Sequence, residues 1–113
     1  MDDQTVILFS RNGLGHALEG LQLTLVNKFL QLTLASGHLP AKILFYTDGV
    51  KLACSGSPVL EPLREMQQRG VELVLCQTCL ETFGLAGEVQ VGVVGGMGDI
   101  LEALQKAGKV ISV

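Results

Sequence analysis

The sequence predicts an α/β protein of three layers, α/β/α, around a five-stranded, mainly parallel sheet. Three observations carry that expectation. Short apolar runs rich in β-branched residues alternate five times with segments of helical pattern. The connections between them are short, which favours right-handed parallel crossovers. The strand runs are apolar at consecutive positions, as in parallel sheets covered on both faces.

The first strand is Thr5–Phe9, closed by the turn residues Ser10-Arg11-Asn12-Gly13-Leu14-Gly15. The spacing then predicts a long helix over 16–35, stopped by Ser36-Gly37 with Pro40 beyond. A second strand over 42–47 ends at Asp48-Gly49, with Asp48 the expected N-cap of a short helix over 50–54. Ser57-Pro58 reads as an N-cap followed by proline at the first helical position. The helix it opens turns Val59, Leu60, Leu63 and Met66 inward and ends at Gly70. The third strand, 71–75, runs directly into Cys76-Gln77-Thr78-Cys79, and a helical segment from there to Phe83 stops at Gly84. A fourth strand over 89–94, the turn Gly95-Gly96-Met97-Gly98, a helix over 99–107 and a fifth strand over 109–113 complete the pattern.

A chain of 113 residues suits one domain, expected over 1–113. It is 48% hydrophobic and 17% charged, against about 25% charged in ordinary soluble domains. The interior is therefore very dry, or another subunit covers apolar surface. The first helix favours a second subunit. Its polar residues Gly20, Thr24, Asn27, Lys28 and Gln31 fall on one narrow stripe. Leu18, Leu21, Leu25, Phe29 and Leu32 flank that stripe, and Leu23, Val26, Leu30 and Leu34 widen the apolar arc beyond the roughly 100° of a surface helix. A homo-oligomer is the expectation, the alternative being a helix sunk among others of its own chain.

The formal net charge is -3 and the eight basic residues are scattered, so no stripe invites a phosphate backbone and nucleic acid is not an expected partner. The start, Met1-Asp2-Asp3-Gln4, is acidic and lacks a secretory pattern. No run approaches the roughly 18 apolar residues of a membrane span. Three cysteines, an odd number, argue for reduced thiols and a cytoplasmic setting.

In open parallel sheets, chemistry gathers where strand C-termini meet helix N-termini. Those ends carry Ser10-Arg11-Asn12, Thr47-Asp48-Gly49, Cys76 and Gly95-Gly96. Cys76 sits at the expected hinge from strand to helix, where unpaired backbone N–H groups favour a thiolate. Cys79, three residues on, shares its helical face. Four readings fit the pair. Both cysteines could be small buried apolar residues. A zinc site would need ligands from Cys54, His16 or His38, at no ribbon-like spacing. A thioredoxin-like dithiol would need a proline downstream, and the last proline, Pro62, is upstream. A sulfur carrier, whose thiolate takes up a sulfane sulfur, is the reading the pair favours. Cys54 is expected to pack.

Gly13-Leu14-Gly15-His16-Ala17-Leu18 begins like a dinucleotide fingerprint, but Leu18 stands at the third glycine and Asp48 lies about ten residues too late for the ribose. No nucleotide, other cofactor or metal is expected. Arg11, Asn12 and the N–H groups of the turn at Gly13 are candidates for holding a small anion, with Asp48, Gly49, Gly95 and Gly96 lining the same edge.

The segments Ile43-Leu44-Phe45-Tyr46-Thr47-Asp48-Gly49-Val50-Lys51-Leu52-Ala53, Gly56-Ser57-Pro58-Val59-Leu60, Gly70-Val71-Glu72 and Cys76-Gln77-Thr78-Cys79-Leu80 resemble the DsrE/DsrF-like sulfur-relay family. Within it they are most similar to the C-terminal domain of YedF-type selenium-metabolism proteins. The resemblance implies a compact α/β/α fold, trimers or hexamers, and a persulfide on one cysteine. By its offset from Gly84 that cysteine is Cys76, and Cys79 matches the second cysteine of the YedF and YchN branches. YedF-type proteins carry a TusA-like domain in front. This sequence shows no such segment, so the resemblance implies either a separate sulfur-carrier protein of TusA type as partner or a shortened form of such a protein. The expected reaction is sulfur transfer through Cys76 and Cys79. The alternatives are a dithiol redox protein using the same pair, or a non-catalytic oligomeric binding module.

Overall fold

The apolar runs form β1 (Thr5–Phe9), β2 (Lys42–Phe45), β3 (Glu72–Cys76), β4 (Val93–Gly95) and β5 (Lys109–Ser112) in a computed structural model that describes residues 4–113. The acidic start at 1–3 lies outside the described residues. The five strands lie in the order β4-β3-β2-β1-β5, and each pairing is parallel. The expected sheet is present, and it is wholly rather than mainly parallel.

Between the strands run α1 (Glu19–Ser36), a 3-10 helix (Thr47–Ala53), α2 (Leu60–Gln68), α3 (Gln77–Thr82) and α4 (Met97–Lys106). The chain steps one way from β1 to β4, then returns past β1 to lay down β5. Right-handed crossovers put the helices of the outward steps on one face and α4 on the other. The packing agrees. Phe9 stacks on Phe45 at 5.7 Å and meets Phe29 of α1 edge-on at 6.4 Å, fixing the α1 face. On the other face Val6, Val74 and Ala103 of α4 line a common trough. Three layers result, as the alternation of elements predicts.

Several boundaries move, each for a local reason. The first helix starts at Glu19 rather than near residue 16, because Gly13 and Gly15 take φ values of 140° and 73°. The loop they shape folds back on α1, where Gln22 accepts the N–H groups of Leu14 on its carbonyl and Ala17 on its side chain. Asp48 is not an N-cap. The 3-10 helix begins at Thr47, and Asp48 within it bonds Lys51 at 2.7 Å. Gly49 does not serve the turn by its φ either. A Cβ there would lie 2.0 Å from the carbonyl oxygen of Phe9, so glycine lets two backbones touch. Pro58 lies outside α2, although the hydroxyl of Ser57 accepts the Val59 N–H at 3.2 Å. The fourth strand shortens to Val93–Gly95 because Gly92 turns the chain at φ 81°, and Val89 instead bridges Cys54 antiparallel.

Only half of α1's apolar arc is used by its own chain. Val26, Leu30 and Leu34 are buried, whereas Leu18 is 86% and Leu32 70% exposed, with Leu21 and Leu25 beside them. Among the described residues no helix is long and apolar enough to cross a membrane.

Candidate active site

The strand Glu72–Cys76 ends on a cysteine because four consecutive apolar residues, Leu73 to Cys76, fill the space between the two helical layers. Cys76 is both the last residue of β3 and the N-cap of α3, so the chain turns from strand to helix at the expected residue. Its side chain, however, is 0% exposed. The hinge is expected to favour a thiolate at Cys76, but in this structure its sulfur does not meet water. β3 runs to Cys76, which pairs with Gly95 of β4, rather than stopping at Leu75, and the run Leu73 to Cys76 is buried along its whole length.

Cys79 is the sulfur nearer to water. It stands on α3, one turn beyond Cys76, and is partly exposed. The backbone N–H of Thr47 donates to its Sγ at 3.0 Å. Cys76, one turn earlier, also acts electrostatically on the same sulfur. These influences oppose one another. Burial pushes the Cys79 thiol above its ordinary pKa, the Thr47 N–H pulls it down, and Cys76 pushes it up again. The net direction is up, so the resting group is a thiol with one donor already aimed at its anion.

Thr47 holds an unusual backbone to do this. Its φ is 48°, the one positive value at a non-glycine among the described residues. Its hydroxyl lies 2.6 Å from the Ser10 carbonyl and 2.7 Å from that of Tyr46. The ends of β1, β2 and β3 therefore meet through Ser10, Thr47 and Cys79. One turn past Cys79, the ring of Phe83 carries the Lys51 ammonium at 4.7 Å. Thr47 stands in the Thr47-Asp48-Gly49 segment expected on this edge, although the sequence assigns it no role; Lys51 and Phe83 are not expected at the site, and nothing local marks them.

The other expected site residues lie along the same edge with other partners. Arg11 approaches His16 Nδ1 at 3.1 Å, and the Asn12 carbonyl accepts a bond from the Gln22 side chain. Gly13 packs on Gln22. The N–H of Gly49 donates to the Tyr46 carbonyl and that of Gly96 to the Asp99 carboxylate, so both are already taken up within the chain. Gly95 borders a trough of about 530 Å³ on the α4 face, floored by Val6 and Val74. Asn12 and Cys54 line a second hollow of about 260 Å³ together with Lys51. Cys54 is buried beside it, with its thiol pushed up by burial and by Glu88. Among the described residues no three His, Cys, Asp or Glu side chains come together as a metal site.

The DsrE/DsrF-like family model matches residues 4–113, the whole described chain. The chain belongs to the DsrE/DsrF-like family. No curated protein matches it. Among solved structures, the DsrE/DsrF-like fold described above is shared with the YchN protein of E. coli at TM-score 0.69 and 18% identity, over 100% of both chains. A protein of unknown function from Methanobacterium thermoautotrophicum matches at TM-score 0.72 and 17% identity, over 99% of this chain and 100% of that one. A conserved protein of unknown function from Bacteroides thetaiotaomicron matches at TM-score 0.69 and 21% identity, over 97% and 95%. At these identities the likeness concerns the fold.

Proposed function

We propose that the chain is a sulfur-relay protein that carries a persulfide on its Cys76–Cys79 pair, with Cys79 as the sulfur that meets donor and acceptor. Family membership suggests the relay. The observation that carries the choice of atom is the partly exposed Cys79 Sγ receiving the Thr47 N–H, beside a Cys76 that water does not reach.

The Cys79 thiol first loses its proton to solvent. The thiolate attacks the outer sulfur of a donor persulfide, R–S–SH. The donor S–S bond breaks, its inner sulfur leaves as a thiolate, and Cys79–S–SH remains. An acceptor thiolate attacks that outer sulfur in turn and restores the Cys79 thiolate. Alternatively Cys76 attacks the inner sulfur of Cys79, closing a disulfide and releasing the outer sulfur as hydrosulfide. The likeness of residues 43–84 to YedF-type domains makes a TusA-type carrier the donor we expect, in a reducing compartment such as the cytoplasm. Self-association as a trimer or hexamer belongs to the same reading, supported by the leucines that α1 leaves uncovered.

The test is mass spectrometry after incubation with a small persulfide donor. A gain of one sulfur that disappears in Cys79→Ser and survives in Cys76→Ser is expected. Loss of the gain only in Cys76→Ser would move the carrier to the buried sulfur. No gain in the wild-type chain would end the relay reading. A second reading, a dithiol redox couple, is favoured by the spacing that puts the two cysteines one helical turn apart. Its mark is loss of two hydrogens under mild oxidant, with no uptake of sulfur.

A further inference from the structure

We propose that Thr47 is a positioning residue for the Cys79 sulfur: its hydroxyl, latched to the Ser10 carbonyl, holds its own backbone N–H on Sγ and so sets how readily that sulfur ionises. This rests on the reading of Cys79 as the entry sulfur.

Three observations converge. Thr47 has φ 48°, and a β-branched residue there is strained. Something must hold it. The hydroxyl contact to Ser10, 2.6 Å across 37 residues, is the one bond from the Thr47 side chain to another strand end. The result of that posture is a 3.0 Å bond from Thr47 N–H to Cys79 Sγ, between residues 32 apart. If Thr47 took an ordinary negative φ, the peptide plane carrying its N–H would turn relative to the sulfur. The energy held in the strained residue is thus matched by an amide that is already oriented before any sulfur arrives.

Charged groups on the surrounding elements already have polar partners of their own. Asp48 bonds Lys51, Glu81 of α3 bonds Gln77, and Arg11 approaches His16. Beyond burial, the influences on Cys79 come from Thr47 and Cys76. Replacing Thr47 should therefore be read cleanly in the titration of Cys79.

The experiment follows iodoacetamide alkylation of Cys79 against pH, by peptide mass spectrometry that separates it from Cys54 and Cys76. Thr47→Val keeps the branched side chain and loses the latch. It should relax away from positive φ and raise the apparent pKa of Cys79 by about one unit, the tenfold effect of losing a bond to an anion. The rate at neutral pH falls less, about threefold, because a more basic thiolate is the better nucleophile. Thr47→Ser keeps the hydroxyl, and Thr47→Asn tolerates positive φ without it, so both should retain the wild-type profile. Thr47→Ala serves as the second latchless variant should Val prevent folding, with folding checked by circular dichroism. An unchanged Cys79 profile in a folded Val or Ala variant overturns the proposal, as does an Asn variant shifted equally. Alkylation needs no sulfur donor, so the two readings fail separately. A chain that takes no sulfur yet follows Thr47 loses only the relay. A chain that takes sulfur with an unmoved profile loses only the role of Thr47.

Discussion

The ammonium of Lys51 stands 4.7 Å from the centroid of the Phe83 ring, and the ring lies one helical turn beyond Cys79. Lys51 also bonds Asp48 at 2.7 Å, so the cation is tethered from both sides at the rim of the thiol site. A charge held there biases which reagents approach. Lys51→Ala is expected to slow alkylation of Cys79 by anionic iodoacetate by about twofold more than by neutral iodoacetamide at low salt. The difference should vanish at about 1 M salt, where screening is nearly complete. An unchanged ratio at low salt would remove Lys51 from the site. Because the contact is solvent-exposed, the melting midpoint should change by less than about 1 kcal/mol equivalent.

The raised thiols give a signed dependence on pH. Cys79 and Cys54 keep their protons in the folded chain at pH values where unfolded thiols, with pKa near 8.5, have begun to lose them. The folded state then binds more protons than the unfolded one, so the contribution is whole below the unfolded pKa and lost as pH rises through the folded value. Urea midpoints compared between wild type and Cys79→Ser should diverge less at pH 10 than at pH 7, because the thiol's contribution falls once the unfolded thiol ionises. Parallel curves from pH 7 to 10 would contradict a raised Cys79.

Two glycines should respond in opposite directions. Gly49→Ala places a Cβ 2.0 Å from the Phe9 carbonyl oxygen, forcing backbone apart, and is expected to cost about 3 kcal/mol in urea unfolding. Gly20→Ala meets nothing within 4 Å near the start of α1 and should stabilise by about 0.5 kcal/mol. Equal effects at both positions would mean that the close approach at Gly49 is not what selects glycine.

The uncovered leucines of α1 make self-association measurable. Wild-type protein should sediment well above the 12.0 kDa of one chain. Leu25→Asp with Leu32→Asp should bring it down to one chain while leaving the circular dichroism unchanged, since both side chains are exposed. A wild-type protein already at the single-chain mass would sink the association.

What the sequence determined by itself is whatever depends on neighbours along the chain. Runs such as Thr5–Phe9 and Leu73 to Leu75 mark strands buried on both faces, and short crossovers between them leave a parallel sheet as the arrangement that covers them. The spacing of Cys76 and Cys79 puts two sulfurs one helical turn apart regardless of what surrounds them. Gly37 ends α1 in the left-handed region, as its place after the apolar pattern foretells. Element edges shifted where Gln22 holds the 10–18 loop, where Asp99 caps Gly96, and where the positive φ of Gly92 cuts the fourth strand short. Which sulfur meets water was a tertiary decision: Cys76 is buried within the sheet, paired with Gly95 nineteen positions on, while Cys79 one turn further stays partly exposed. So was the donor on Cys79, since Thr47 reaches it only after β2 and β3 have paired and the Ser10 carbonyl has been brought alongside. Local pattern governs conformation because it needs only adjacent residues; exposure and hydrogen bonding across strand ends depend on which distant segments arrive there.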